Sequence, residues 1–356
     1  MGRKPTVNLN CPPHMRPRRR GKVTYYYYDW GGKPRREEPL GTDFVLAVKR
    51  WAEIEQERIP AAAVPTFGAA VVAYLRDVLP LKAPRTQSGN QKELAVLRQF
   101  FDDSAPLHEI EPQHIKQYMH WRHKLAVAWY QKMKQPVPAN AGHVRANREL
   151  ALFSHIFNHA REIGLTGTPN PCAGVRKYSE SGRDVYVEDD VFARVYACAD
   201  APTRDAMDLA YLAGQRPQDT VSYDERDIRD GFLSIGQGKT GKKLRMEVVG
   251  ELKAVVDRIK TRKSAYKVVS TALVVNEKGE RMTLGALQKR FSAARARAGI
   301  PKGDFQFRDL RAKAGTDKTD SSGDIRQAQR QLGHKSLTMT EHYVRKRRGE
   351  KVGPTR

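Results

Sequence analysis

The sequence predicts a multidomain, mainly α-helical chain, with a small β-sheet near its start and a mixed α+β unit, carrying a small β-hairpin sheet, at its end. Three observations carry that expectation. At 356 residues the chain exceeds what one core usually organises, so two or three domains are expected. Apolar residues recur at helical spacing over most of its length. Strand-like alternation is confined to two short stretches, 23–39 and 231–249, each interrupted by glycines.

Residues 1–22 hold proline, arginine and little that packs, and read as a basic flexible arm containing Arg18, Arg19 and Arg20. In "VTYYYYDWGG" four tyrosines and a tryptophan favour a strand, Gly31 and Gly32 favour a turn, and a second strand near 34–39 would close the sheet. A helix follows, with Thr42 or Asp43 as N-cap and Phe44, Ala47, Val48, Trp51 and Ile54 on one face. Residues 23–58 therefore read as a small sheet capped by one helix, and 58–65 as a linker.

Residues 66–178 read as a helical bundle of four or five helices. Leu94, Leu97, Phe100 and Phe101 form one apolar face; Leu150, Phe153, Phe157 and Ala160 form another, with Arg145 and Arg148 outside it. The polar stretch 176–184 reads as a hinge, 179–348 as the last and largest unit, and 349–356 as a tail. In that unit a helical region precedes a hairpin turning at 238–241, and helices follow near 250–262, 283–298, 307–317, 324–332 and 336–344.

Charge restricts the partners. Lys and Arg number 64 against 40 Asp and Glu, a formal net charge of +24, and such a surface attracts polyanions, with nucleic acid first and an anionic membrane second. No apolar run approaches the roughly 18 residues that span a bilayer, and no secretory signal pattern opens the chain, so a reducing, cytoplasmic setting is expected. The three cysteines, Cys11, Cys172 and Cys198, lie far apart and form no CxxC pair, and the ten histidines show no metal spacing; no metal site and no cofactor are expected.

The residues suited to chemistry are dispersed. "GQGKTGKK" suggests a phosphate loop, but the first glycine of that motif would fall on Leu233, so a hairpin tip presenting Lys239 to a phosphate is the better reading. Arg216 ends an apolar helix after the turn residue Gly214, with Asp219 placed to hold its guanidinium. In "FQFRDLRAKAG" Arg308 and Arg311 are one helical turn apart. In "LGHKSLTMTEHYV" Gly333 suits a helix C-cap, His334 opens the turn, and Tyr343 sits on the next short helix. Arginine forks, a lysine, a histidine and a tyrosine suit an anionic pentacoordinate phosphate. A tyrosine hydroxyl can attack phosphorus and store the bond energy as an ester, and a lysine can protonate the leaving alkoxide.

Arg216 in "GQRPQD", Lys239 in "GKTGKK", Arg311 in "FRDLR", His334 in "LGH" and Tyr343 in "HYV" occur in an order and spacing that resembles the tyrosine recombinases, the phage-type integrases. The resemblance covers about 185–345 and extends upstream, where 146–177 is similar to the end of the family's helical core-binding (SAM-like) domain and 23–58 more loosely to its arm-binding domain. It implies a site-specific DNA recombinase that cleaves and rejoins strands through a 3′-phosphotyrosine on Tyr343, without metal or ATP, to integrate or excise a mobile element. Arg216 and Arg311 would hold the non-bridging oxygens, His334 would stand beside them, and Lys239 would be the general acid. Arg18, Arg19, Arg20, Arg145, Arg148, Lys242 and Lys243 would contact DNA. The implied partners are double-stranded attachment sites, three further copies in a homotetrameric synapse, a DNA-bending host factor and an excisionase; no membrane is involved, and the setting is the host nucleoid. One position departs from the family: its usual His-x-x-Arg begins here with Arg308, which leaves open a phosphate contact, stabilisation of the charge on the nucleophile, or a weakened enzyme. A non-catalytic DNA-binding regulator and a type IB topoisomerase-like relaxing enzyme are the alternative readings.

Overall fold

The structure is a computed structural model. It describes residues 11–58 and 64–348, with the side chains of 57, 58, 343 and 345–348 outside that description. The chain forms two compact units, Met1–Ser181 and Gly182–Arg356. Among the described residues helices dominate both, and each contains one small three-stranded antiparallel sheet.

In the first unit, β1 (Met15–Arg20), β2 (Val23–Gly31) and β3 (Arg36–Gly41) lie in the order β1-β2-β3. β3 falls close to where the second strand is expected. β1 is a correction, because it lies inside the stretch read as a flexible arm. Four of its six residues are arginine, which conceals the strand pattern. What holds it is cross-strand stacking: Arg18 lies 5.1 Å from the Tyr27 ring centroid and Arg20 5.9 Å from that of Tyr25. Residues 1–10 of the expected arm lie outside the described residues.

Helix α1 (Phe44–Arg58) begins at Asp43, whose Oδ1 accepts the Val45 and Leu46 amides at 2.9 Å. Ala47, Val48, Trp51 and Ile54 are all buried, as their spacing predicts. α2 (Phe67–Asp77), α3 (Pro84–Leu97), α4 (Pro112–Lys132) and α5 (His143–Glu162) form the bundle. One apolar core runs from Met15 and Tyr28 through Trp51 to Phe101 and Phe157, so sheet, α1 and bundle are packed together. The expected linker falls largely on 59–63, outside the described residues. Phe100 and Phe101 follow α3 rather than lying on it, yet Phe101 still joins the core. The start of the expected hinge is fastened: the Asn147 side-chain amide holds both the N–H (3.1 Å) and the C=O (2.8 Å) of Tyr178, and His143 stacks on its ring at 3.7 Å.

In the second unit, the helical region expected upstream of the hairpin is three helices: α6 (Asp189–Ala197), α7 (Ala201–Ala213) and α8 (Pro217–Val221). The breaks have local causes. Asp200 caps α7 through the Thr203 amide, and Gly214 ends it with φ +64. β4 (Ile228–Arg229), β5 (Phe232–Gly236) and β6 (Lys243–Glu247) make the second sheet. The extra strand β4 follows from an Asp230-Gly231 turn with φ +51 and +75, a strong hairpin signal that periodicity alone passes over. α9 (Gly250–Ser264), α10 (Leu284–Arg297), α11 (Asp309–Ser322), α12 (Ile325–Leu332) and α13 (Leu337–Arg348) complete the unit. Among the described residues no helix is long and apolar enough to cross a membrane.

Candidate active site

Three chain turns bring the expected cations together. Gly214 lets the chain leave α7, and a Cβ there would stand 3.1 Å from Leu332 Cδ2. That close approach sets Gln215 and Arg216 beside the end of α12. Arg216 is the N-cap of α8, with Pro217 pre-set for the first helical turn. Its Nη1 lies 3.3 Å from Gln237 Oε1 and 3.7 Å from Asp219 Oδ2. Asp219 thus accompanies Arg216 as its spacing suggests, but its shorter bond, 3.1 Å, accepts the Gly238 amide at the neck of the β5–β6 hairpin.

Arg311, in the first turn of α11, is buried. Its Nη1 donates to the Gly214 carbonyl at 2.9 Å and its Nη2 to the Leu332 carbonyl at 2.6 Å. The guanidinium therefore bridges the end of α7 and the end of α12. Gly333 closes α12 with φ +68, and His334 follows, also buried. His334 Nδ1 is 2.9 Å from Thr340 Oγ1 on α13. Burial, then the positive charges of Arg311, Arg216 and Lys242, push the imidazole down from 6.5 to about 4. The ring is neutral near pH 7 chiefly because it is buried, and the neighbouring cations, which add to the shift, favour a bound anion.

The other expected residues are placed less uniformly. Lys239 is exposed on the turn between β5 and β6. Lys242 is half-buried on the same turn, with its carbonyl accepting the Gln237 amide at 2.9 Å. It acts on His334, which the sequence reading, grouping it with outlying DNA contacts, does not anticipate. Lys243 is exposed at the start of β6. Arg308 is the N-cap of α11 and is exposed, and among the described residues it makes no ion pair, whereas Arg311 is buried. Arg308 caps the helix with helical backbone angles, so the one-turn spacing holds, but the two side chains differ in burial. Its neighbour Asp309 is buried and takes a two-bonded fork from Arg183 at 2.7 and 2.6 Å. Tyr343 lies on α13, three residues beyond Thr340; its side chain lies outside the described residues. Arg18, Arg19 and Arg20 on β1, and Arg145 and Arg148 on α5, belong to the first unit and are exposed. Arg18 is engaged by Glu37 at 2.6 Å.

Sequence reasoning missed Gln215, Gln237 and Thr340. Gln237 is buried: its Nε2 donates to Gln215 Oε1 at 2.7 Å and to the Leu332 carbonyl at 2.8 Å, and its Oε1 accepts from Thr240 Oγ1 at 2.8 Å. A signal existed, since each glutamine stands within two residues of an expected cation, in "GQR" and "GQGK".

A buried arginine, a second arginine and a neutral histidine beside a lysine-bearing hairpin thus form one cationic cluster in the second unit. Residues 188–350 match the model of the phage integrase family. The chain is 29% identical over 183 residues to the integrase of Enterobacteria phage 434, covering 49% of this chain and 51% of that protein. It is 30% identical over 197 residues to the integrase of Escherichia phage HK022, covering 53% and 54%. It is 29% identical over 146 residues to the tyrosine recombinase XerC of Vibrio cholerae, covering 40% and 46%. The chain thus spans about half the length of the curated relatives it matches. Among solved structures, a lambda integrase dimer bound to a COC′ core site is 22% identical, with 97% of this chain and 98% of that chain covered and a TM-score of 0.67. That likeness shows a shared fold.

Proposed function

We propose that the protein is a site-specific DNA recombinase that transfers strands through a covalent tyrosine–DNA intermediate. The observation that carries the proposal is the convergence of Arg311 and Arg216 on the basin that holds His334 neutral. Arg216 and Arg311 bind the non-bridging oxygens of the scissile phosphate, where planar guanidinium forks are matched to the charge that develops. Tyr343 Oη attacks phosphorus and the P–O5′ bond breaks. The phenolic proton passes to solvent, and His334, neutral above about pH 4, stands beside the arginines. Lys239 supplies a proton to the departing 5′-oxygen. A 5′-hydroxyl from the partner strand reverses the sequence, so the phosphotyrosine conserves the bond energy.

Relatives named as integrases and a fold neighbour solved as a dimer on its DNA core site, and in another structure as a tetramer on a Holliday junction, support duplex DNA and an assembly of several protomers as partners here. The basic β1 strand, α5 and hairpin are the proposed DNA contacts, and binding should weaken steeply with salt. The first unit would combine the arm-type and core-binding roles, making the chain bivalent on DNA.

The test is a duplex nicked close to the crossover, so that cleavage releases a short fragment and traps the intermediate. A slow-migrating protein–DNA species on a denaturing gel supports recombination chemistry. Tight binding with no such species supports the alternative of a regulator that binds without cutting, for which exposed Arg308 is the one favourable residue.

A further inference from the structure

We infer that Gln237 is the positioning residue that locks the Lys239 hairpin onto the arginine site. The inference rests on the proposed strand-transfer chemistry and on the assignment of Lys239 as general acid. Three parts of the second unit distant in sequence meet at one buried side-chain amide. Oε1 accepts from Arg216 Nη1 at 3.3 Å and from Thr240 Oγ1 at 2.8 Å. Nε2 donates to Gln215 Oε1 at 2.7 Å and to the Leu332 carbonyl at 2.8 Å, the same carbonyl that Arg311 grips at 2.6 Å. Both polar ends are thus saturated, which fixes which end faces which element.

The backbone of the same residue builds the turn. Its carbonyl accepts the Thr240 amide at 3.3 Å and the Gly241 amide at 2.8 Å, and its N–H donates to the Lys242 carbonyl at 2.9 Å. Lys239 is carried between these anchors. Packing makes the fit tight on the opposite side: a Cβ on Gly333, next to His334, would stand 2.7 Å from Gln237 Nε2. The glycine-flanked hairpin, Gly236 to Gly241, is tied in this way to Arg216, to the end of α12 and, through Leu332, to Arg311. Buried amides joined to several elements act as a unit, and the loss of one partner loosens the rest. Gln237 does not touch the reacting atoms in this scheme; it acts through the lysine it positions.

The test compares single-turnover cleavage of two nicked duplexes, one with the ordinary bridging 5′-oxygen and one with sulfur there, whose thiolate leaves without a proton. Lys239→Ala serves as reference. Gln237→Met, similar in length and without hydrogen bonds, should shift duplex DNA as the parent does and cleave the oxygen substrate about 100-fold more slowly, the scale of a lost acid. On the sulfur substrate it should recover at least about 10-fold of that loss, as Lys239→Ala does. A residue with a merely structural role would slow both substrates alike. Unchanged cleavage of the oxygen substrate overturns the inference, and so does equal slowing on both substrates while Lys239→Ala is rescued. No rescue of Lys239→Ala overturns the acid assignment itself, and the inference with it. Should Gln237→Met fail to fold by its thermal melt, Thr240→Val, which removes only the hydroxyl donor to Oε1, reads the same coupling: rescue by sulfur supports it and none overturns it.

Discussion

Arg311 Nη2 donates to the Leu332 carbonyl oxygen at 2.6 Å, and this bond ties the buried arginine to the turn that presents His334 two residues later. Lysine cannot span the Gly214 and Leu332 carbonyls as a planar fork does. Arg311→Lys should therefore bind DNA and form the covalent adduct about 100- to 1000-fold more slowly, the cost of losing one donor at a developing charge. Single-turnover cleavage alongside a band-shift assay measures both quantities. A loss below about 10-fold would detach Arg311 from the reaction.

The depressed His334 gives an acid-sensitive stability. Its ordinary value is 6.5 and its folded value about 4, so the unfolded chain takes up the proton first as pH falls. Stability from this site is whole above about pH 7 and is lost as pH falls between 6.5 and about 4. His334→Gln, which cannot titrate, should lose about 2 kcal/mol less than the parent between pH 7 and pH 5. Urea unfolding at the two pH values gives the difference, and identical pH dependence in the two proteins would refute a depressed His334.

Arg183 and Asp309 form a two-bonded ion pair with the carboxylate buried. Removing one partner of such a pair strands the other charge. Arg183→Ala should destabilise the protein by about 3 kcal/mol, read as a lower urea midpoint at unchanged slope. A change under about 0.5 kcal/mol would place the pair with ordinary surface bridges.

Arg308 stands exposed at the start of α11, where a solvated guanidinium suits a phosphate contact and not proton transfer. Arg308→Ala should reduce the slope of log affinity against log salt by about one and leave the pH profile of cleavage unchanged. Arg308→His should leave strand transfer within a few-fold of the parent. A large gain would mark Arg308 as a handicap in this chain.

The legible parts of the molecule are those with local causes. Periodicity suffices for α1 and α5, because Trp51, Phe153 and Phe157 recur on one face and that face is buried. Arg216 and His334 are legible because glycines next to them, Gly214 and Gly333, mark the turns that expose a side chain to a common basin. β1 is not legible: its stability comes from tyrosines on the next strand, so a run of arginines reads as an arm. Gln237 is not legible either, because its partners Gln215 and Leu332 are 22 and 95 residues away and only folding brings them together. Arg308 and Arg311 look equivalent at one-turn spacing; their difference in burial arises from where α11 starts.

The central claim is that Tyr343 carries the DNA strand, and one measurement addresses it directly. The nicked duplex is incubated with the parent protein and with Tyr343→Phe, the products are separated on a denaturing gel, and the adduct is digested to locate the DNA-bearing peptide. The parent should give an adduct mapping to the α13 peptide that contains Tyr343, and Tyr343→Phe should give none while still shifting the duplex on a native gel. An adduct that survives the substitution, or one that maps to another residue, would contradict the claim.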